Sequence, residues 1–200
     1  MKTLIVYAHP SKKSFTYQLF SQLKKGIIDA GHPLKISDLY AMNFQSDMTE
    51  SEYDREGFAN KQLPIPVDVA LEQQKIEWAD TICFVYPVWW SDCPAKLKGW
   101  FDRVYTVGYA YGYNEQGNAA KKMSTKKKGI VICPAGHPNA FLNEIGMAQS
   151  MRKVMLEDRL GKRFEQKEMH ILGGTLDLEQ VKVPHLNTAY AIGKNISFYR

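Results

Sequence analysis

Five short runs of strand-forming residues, separated by stretches long enough to hold a helix, limit what this chain can fold into more than any other feature. The opening run, Thr3 to Ala8, is continuously apolar. That suits a parallel strand covered on both faces rather than one alternating between core and water, and it is expected to be the first, central strand. Leu34 to Leu39, Thr81 to Tyr86, Ile130 to Cys133 and Glu168 to Leu172 supply the others. Between them the period changes. From Ser14 to Ala30, Phe15, Leu19, Phe20, Leu23, Ile27 and Ile28 recur at helical spacing, and Gly31 with Pro33 just beyond ends the pattern. Gln45 to Asn60 reads as a polar excursion with a helical turn or two, and Val67 to Trp78 as a helix after Pro66. Pro94 to Tyr105 reads as a helix with Pro94 at its first position and Leu97, Trp100, Phe101 and Val104 on one face. Ala140 to Leu160 is expected to be mostly helix, and Pro184 to Phe198 a final helix. Strands alternating with helices imply βαβ units and a parallel sheet with right-handed crossovers. No repeat, linker or low-complexity break divides the chain, so one domain over residues 1–200 is expected.

With 44% apolar and 24% charged residues in 200, the chain can bury a full core without disulfides, which excludes disorder and mini-protein scaffolds. The net charge of +5 favours polyanionic small molecules as much as nucleic acid. No recognition helix or aromatic-basic strand motif is present, so nucleic acid is not an expected partner. Cys83, Cys93 and Cys133 form no CxxC pair, and a reducing cytoplasm fits them best. Thr3 to Ala8 is far too short for a signal segment or a membrane span, so neither secretion nor membrane insertion is expected.

In an open doubly wound sheet, ligands bind beyond the carboxyl ends of the strands where the strand order reverses. Three loops are therefore expected to carry function. The first, His9 to Thr16, ends at a helix N-terminus, where free N–H groups and the helix dipole favour a phosphate. Ser14 and Thr16 add hydroxyls, and His9, Lys12 and Lys13 add positive charge; an ordinary capped helix with exposed lysines reads the same way. Neither GxGxxG nor GxxxxGK[ST] is present.

The second loop, Pro87 to Cys93, sets Trp89 and Trp90 directly after a buried strand, where a solvated turn would ordinarily begin. A flat amphipathic ligand ring, its polar edge bonded by backbone N–H groups, would explain them; so would packing on neighbouring helices or on a second subunit. In the third loop, Pro134 to Pro138, Gly136 permits close backbone approach to a ligand, while His137 is more simply a solvated bystander. The aromatic cluster Val107 to Tyr113 suggests a substrate-stacking wall or a dimer contact, and serves as both if the pocket lies between subunits. The lysine-rich run from Lys121 reads as a solvated loop. No residues have metal-ligand spacing, and no GxSxG elbow exists, so neither zinc chemistry nor acyl transfer is expected.

The segment PVWWSDCPAKLKGWFDRVYTVGYAY resembles the signature of the NAD(P)H:quinone oxidoreductases, in which a proline and aromatics precede P-x-x-L-K-G-W-[FM]-[DE]-R-V. SDLYAMNF from Ser37 to Phe44, the opening IVYAHPSKKSFT, and EQQKIEWADTICFVYP from Glu72 to Pro87 extend the similarity over most of the first 115 residues and, more weakly, the remainder. The resemblance implies a flavodoxin-like α/β fold: a doubly wound five-stranded parallel sheet, order 2-1-3-4-5, with helices on both faces. It implies a homodimeric flavoprotein, using FAD or FMN, that takes a hydride from NAD(P)H and passes two electrons to a quinone or similar acceptor by ping-pong turnover, the flavin rather than a protein nucleophile carrying the chemistry.

Carried over by position, the resemblance gives His9, Ser14, Phe15 and Thr16 to the flavin's phosphate and ribityl part, and Pro87, Val88, Trp89 and Trp90 to the edge of its ring. Pro134, Ala135, Gly136 and His137 stand where the family has a Thr-Thr-Gly-Gly loop; PAGH keeps one glycine and loses the hydroxyls, leaving only backbone donors. Where the best-known members use a tyrosine and a histidine to stabilise charge on the reduced flavin, the nearest counterparts here are Phe141 and Met147, and neither donates a proton. The acceptor is expected to lie against Trp90 and Phe141, with Tyr111 and Tyr113 covering it from the partner subunit. The chain is shorter than the animal members and is expected to be of the compact bacterial type, without their C-terminal extension. A second reading is an ancillary regulatory flavoprotein subunit of a potassium efflux system. A one-electron flavodoxin carrier fits less well, because the T/S-x-T-G-x-T phosphate loop is missing.

Overall fold

The structure is a computed structural model and describes residues 1–113, 116 and 121–197. Strands β1 (Thr3–Tyr7), β2 (Leu34–Asp38), β3 (Thr81–Val85), β4 (Lys126–Pro134) and β5 (Phe164–Leu172) form one all-parallel sheet in the order β2-β1-β3-β4-β5. Thr3 lies level with Leu34 on one side and Thr81 on the other, and Thr81 with Lys128. The strand order therefore reverses between β1 and β3. Every residue of β1 and β3 is buried, as continuous apolar runs require of strands covered on both faces.

Helices α1 (Phe15–Asp29) and α7 (Leu178–Lys194) cover one face, where Leu19, Leu23, Ile27, Ala189 and Ile192 meet Ile5, Cys83, Ile130 and Ile132. The other face carries α3 (Val67–Trp78), α4 (Ala95–Val104) and the 139–163 segment, which close over Leu4, Val6, Ile82, Phe84 and Val131 around the fully buried Trp100. The polar excursion contains α2 (Glu50–Gly57), opened by a capping box: Thr49 Oγ1 accepts from Glu52 N–H at 3.3 Å, while Glu52 Oε2 accepts from Thr49 N–H at 2.8 Å. Arg103 of α4 holds the excursion down, donating to Glu52 at 2.7 Å, Asp68 at 2.6 Å and the Gln45 carbonyl at 2.6 Å. Thr49→Ala should cost about 1 kcal/mol and lower the melting midpoint by about 2–4 °C in a thermal melt.

Several boundaries differ from the sequence reading. β4 begins at Lys126 rather than Ile130, so the lysine run is a loop only as far as Thr125 and its second half is strand. Lys126 and Lys128 are buried, their stems inside the ladder, and their ammonium groups reach Glu77 at 3.7 Å and Glu168 at 3.2 Å. β5 likewise begins at Phe164, pairing with β4 along its length. Pro94 is the N-cap of α4, not its first residue, while α3 begins at Val67 after Pro66 as expected. The 140–160 stretch is broken: α5 (Asn139–Glu144) ends before Gly146, which is left-handed at φ 72°, and α6 (Met147–Arg152) runs into a π-helical segment, Lys153–Leu160. The last helix starts at Leu178 and carries Pro184 inside it; its expected end, Phe198, lies outside the described residues.

Candidate active site

The reversal between β1 and β3 opens a crevice at their carboxyl ends, and the first two loops leave from its two sides. His9 and Trp89 meet across it with ring centroids 5.8 Å apart, and Val88 N–H donates to the Pro134 carbonyl at 2.9 Å, so all three expected loops converge.

In the first loop, Ser14 is the N-cap of α1 and its hydroxyl accepts from Tyr17 N–H at 3.1 Å. That bond exists whether or not an anion binds. Among the described residues, the N–H groups of Lys12, Phe15 and Thr16 have no partner, which leaves a cluster of donors at the positive end of the helix dipole. Beneath them Tyr7, 1% exposed, ends β1 with a hydroxyl that has no hydrogen-bond partner among the described residues. Burial pushes that phenol up to about 12, so it stays a neutral donor. His9 corrects one expectation: its Nδ1 accepts from Ser11 N–H at 3.0 Å and burial lowers its pKa, so at neutral pH the ring adds a neutral Nε2 donor and not a positive charge.

The second loop is a two-residue reverse turn. Trp89 N–H donates to the Asp92 carbonyl at 2.9 Å and Asp92 N–H returns to the Trp89 carbonyl at 3.1 Å, with Trp90 and Ser91 at φ 51° and 61°. Two successive positive φ angles make a turn of the kind that normally selects Asn-Gly. Held by Trp-Ser, each residue stores on the order of 1–3 kcal/mol of strain. The turn throws the Trp90 indole completely into solvent, at 101% relative exposure. Val88 and Trp89 N–H are already bonded within the protein, so neither is available to a ligand edge, as the sequence had suggested; the N–H groups of Trp90 and Ser91 have no partner among the described residues. Only about 10 Å³ remains beneath the turn, between Val88, Ser91, Asp92 and Met151, Met155 and Met169, far too little for a flat ring. A flat ligand would have to lie on the outer side, against Trp90.

In the third loop, the Ala135, Gly136 and His137 carbonyls accept from Thr175, Leu176 and Gly174, which fixes the loop and leaves Gly136 and His137 N–H unpartnered among the described residues. Pro134 and Ala135 are buried, and His137 stands exposed against Phe141 with centroids 4.9 Å apart. Phe141 is 42% exposed, while Met147 packs against the core.

Trp90, fully exposed, packs against neither Tyr111 nor Tyr113 within one chain. Tyr111 donates to Glu56 at 3.1 Å; burial and that carboxylate push its phenol up to about 12. It walls a cavity of about 440 Å³ with Phe101, Tyr105, Arg159 and Arg163. Tyr113 is 69% exposed.

Three residues that neighbour the candidate site escaped the sequence reading. Glu56, which also accepts from Val107 N–H at 2.6 Å and pairs with Arg55, holds the tyrosine segment. Asp92 sits at the end of the turn, and Arg159 reaches it from 67 residues away. Asp92, inside the WWSDCP motif, was visible; nothing local marks Glu56 or Arg159.

A family described as having the flavodoxin-like fold matches residues 1–164. A ribosyldihydronicotinamide dehydrogenase-like protein of Penicillium crustosum is 36% identical over 187 residues, covering 82% of this chain and 68% of that protein. NAD(P)H dehydrogenase (quinone) 1 of Cavia porcellus is 38% identical over 167 residues, covering 77% of this chain but only 60% of its own length. An NAD(P)H:quinone oxidoreductase from Methanothermobacter marburgensis superposes with a TM-score of 0.92 at 43% identity, covering 98% of this chain and 99% of that one.

Proposed function

This chain belongs to the flavodoxin-like NAD(P)H:quinone oxidoreductase family, and from that premise we propose that it is a flavin-dependent NAD(P)H dehydrogenase acting on a quinone or similar flat acceptor. The observation that carries the reading is the fully exposed Trp90 indole, held on a strained turn beside unpartnered N–H groups at the switch point. A surface aromatic held at this energetic cost, facing donors with nothing to bond, fits a planar ligand with a polar rim.

The residues present fit a flavin, FAD or FMN. The Lys12, Phe15 and Thr16 N–H groups with the Tyr7 hydroxyl would take the phosphate and ribityl oxygens, and His9 would offer its Nε2 proton nearby. Trp90 and Ser91 N–H would meet one polar edge of the ring, and Gly136 and His137 N–H the other. When bound, the flavin supplies the acceptance of a hydride from NAD(P)H and the return of two electrons to the acceptor. Phe141 and Met147 hold no transferable proton, so negative charge at that end would be met by the Gly136 and His137 dipoles alone. Trp90 would then orient the nicotinamide and the acceptor in turn and exclude water from one side, and Phe141 would extend the apolar floor.

A second copy of the chain would close the open side, bringing Tyr111 and Tyr113, which stand exposed and unpacked against their own Trp90. The ancillary role in potassium efflux gains no support from the structure or from the similar proteins. No helix among the described residues is long and apolar enough to cross a membrane.

The test is an absorbance spectrum of the purified protein with chromatographic identification of the released flavin, followed by NADH and NADPH oxidation with and without a quinone. A yellow protein whose nicotinamide oxidation accelerates on adding quinone is expected. A colourless protein that gains no activity with added FAD or FMN would overturn the reading.

A further inference from the structure

The Trp90–Ser91 turn has no glycine or asparagine to make its two positive φ angles easy, and they are the only consecutive non-glycine pair at positive φ among the described residues. Something outside the turn must hold it. The Asp92 carboxylate, immediately after the turn, is gripped at both oxygens by the Arg159 guanidinium, Nη1 to Oδ1 at 2.5 Å and Nη2 to Oδ2 at 2.8 Å, and Oδ1 also accepts from Cys93 N–H at 2.7 Å. A bidentate pair fixes orientation as well as distance. Arg159 is itself immobilised. Its side chain is 8% exposed, its guanidinium lies over the Phe101 ring at 5.6 Å and 3.4 Å from the Cys93 sulfur, and its carbonyl is capped by Arg163 Nε at 3.1 Å. It projects from the π-helical Lys153–Leu160 segment, a geometry that re-aims side chains and recurs at functional sites.

We propose that Arg159 and Asp92 are positioning residues: their ion pair locks the Trp90–Ser91 turn in its strained form, so that the exposed indole and the two free N–H groups face the ring-shaped ligands of the site. The inference rests on the function proposed above for what the turn meets, but not for what holds the turn. It ties the acceptor surface to the 147–163 segment, which follows the third loop's own helix α5.

The decisive variant is Arg159→Lys, which keeps the charge but replaces a two-pronged donor by a point charge. Ser91→Gly in that background lessens the need for a clamp, because glycine takes one of the two positive φ angles without strain. Two readouts are needed. Hydrogen exchange of the Asp92 amide, protected by its bond to the Trp89 carbonyl, reports the turn without any ligand. Steady-state kinetics with a quinone reports its use. Arg159→Lys should speed the Asp92 exchange and raise the acceptor KM on the order of tenfold each, with kcat changing far less, and Ser91→Gly should recover part of both losses. An unchanged Asp92 amide in Arg159→Lys, or losses that Ser91→Gly does not recover, would overturn the inference. If Arg159→Lys does not fold, Asp92→Asn carries the same two readouts, since the Asp92 side chain is 45% exposed and tolerates the change sterically. An amide that responds as expected in a protein that neither binds flavin nor reduces quinone leaves the clamp standing and removes the functional reading instead.

Discussion

Trp90→Ala is expected to lower kcat/KM for a quinone about 100-fold while leaving the melting midpoint within about 1 °C of the parent protein. The two halves of this result have separate causes. The indole is fully exposed, so its removal takes away no packing from the folded chain. Alanine at the same positive φ keeps the strain already present, so the turn gains and loses little. For a ligand the loss is large. About 100 Å² of ring surface covered by a nicotinamide or acceptor is worth roughly 2.5 kcal/mol, and face-to-face aromatic contact adds about 0.5 kcal/mol or more. Some 3 kcal/mol corresponds to a little over two powers of ten. Trp90→Phe keeps a flat ring and should recover most of the loss. Steady-state kinetics with thermal melts on the three proteins decides the matter: unchanged kcat/KM in Trp90→Ala places the ring surface elsewhere and removes the basis of the proposed site.

The sheet was legible in the sequence because β1 and β3 are buried on both faces, so their hydrophobicity is continuous and owes little to neighbours. The starts of β4 and β5 were not legible, because Lys126, Lys128 and Gln166 enter the ladder through pairing with adjacent strands, and their polar ends find Glu77 and Glu168 only in three dimensions. The N-terminus of α1 could be read because its cap is local: Ser14 bonds a residue three positions on. The turn could be read only halfway. Two tryptophans after a buried strand mark a site, but positive φ at Trp90 and Ser91 has no signature in a segment without glycine or asparagine. What holds it, Arg159, lies 67 residues from Asp92 and comes off a π-helical turn that no 3.6-residue pattern reveals. Site positions set by the chain's own short-range bonding were visible; those set by a distant partner were not.

Gly193→Val should be among the most damaging single changes outside the site, because α1 and α7 cross backbone to backbone. A Cβ at Gly193 would stand 2.3 Å from the Leu23 carbonyl oxygen and 3.0 Å from Ile27 N; one at Gly26 would stand 2.3 Å from the Tyr190 carbonyl oxygen. The obstacles are helix backbones, which cannot swing aside as a side chain can, so the helices must part by about an ångström. Parting lifts Leu23 and Ile27 from the sheet and opens space above Ile5, Cys83 and Ile130. Overpacking with partial cavity formation should cost about 4 kcal/mol for valine, and about 2 kcal/mol for Gly193→Ala once alanine's better helix propensity is set against it. Against a total stability of about 5–15 kcal/mol, the valine variant stands near the limit of folding. Urea titrations should show a lower midpoint at an unchanged slope for Gly193→Ala. The Gly26→Ala/Gly193→Ala double variant should lose less than the sum of the singles, because one separation accommodates both methyl groups. Gly146→Ala is the control: its φ is positive but its Cβ position is open, so only about 1 kcal/mol of backbone cost applies. A Gly193→Ala variant as stable as the parent would mean that the crossing is looser than the 2.3 Å contact allows. The same shift reaches function, since α1 carries the Phe15 and Thr16 N–H groups at its start; a displaced α1 should also weaken whatever phosphate those donors hold.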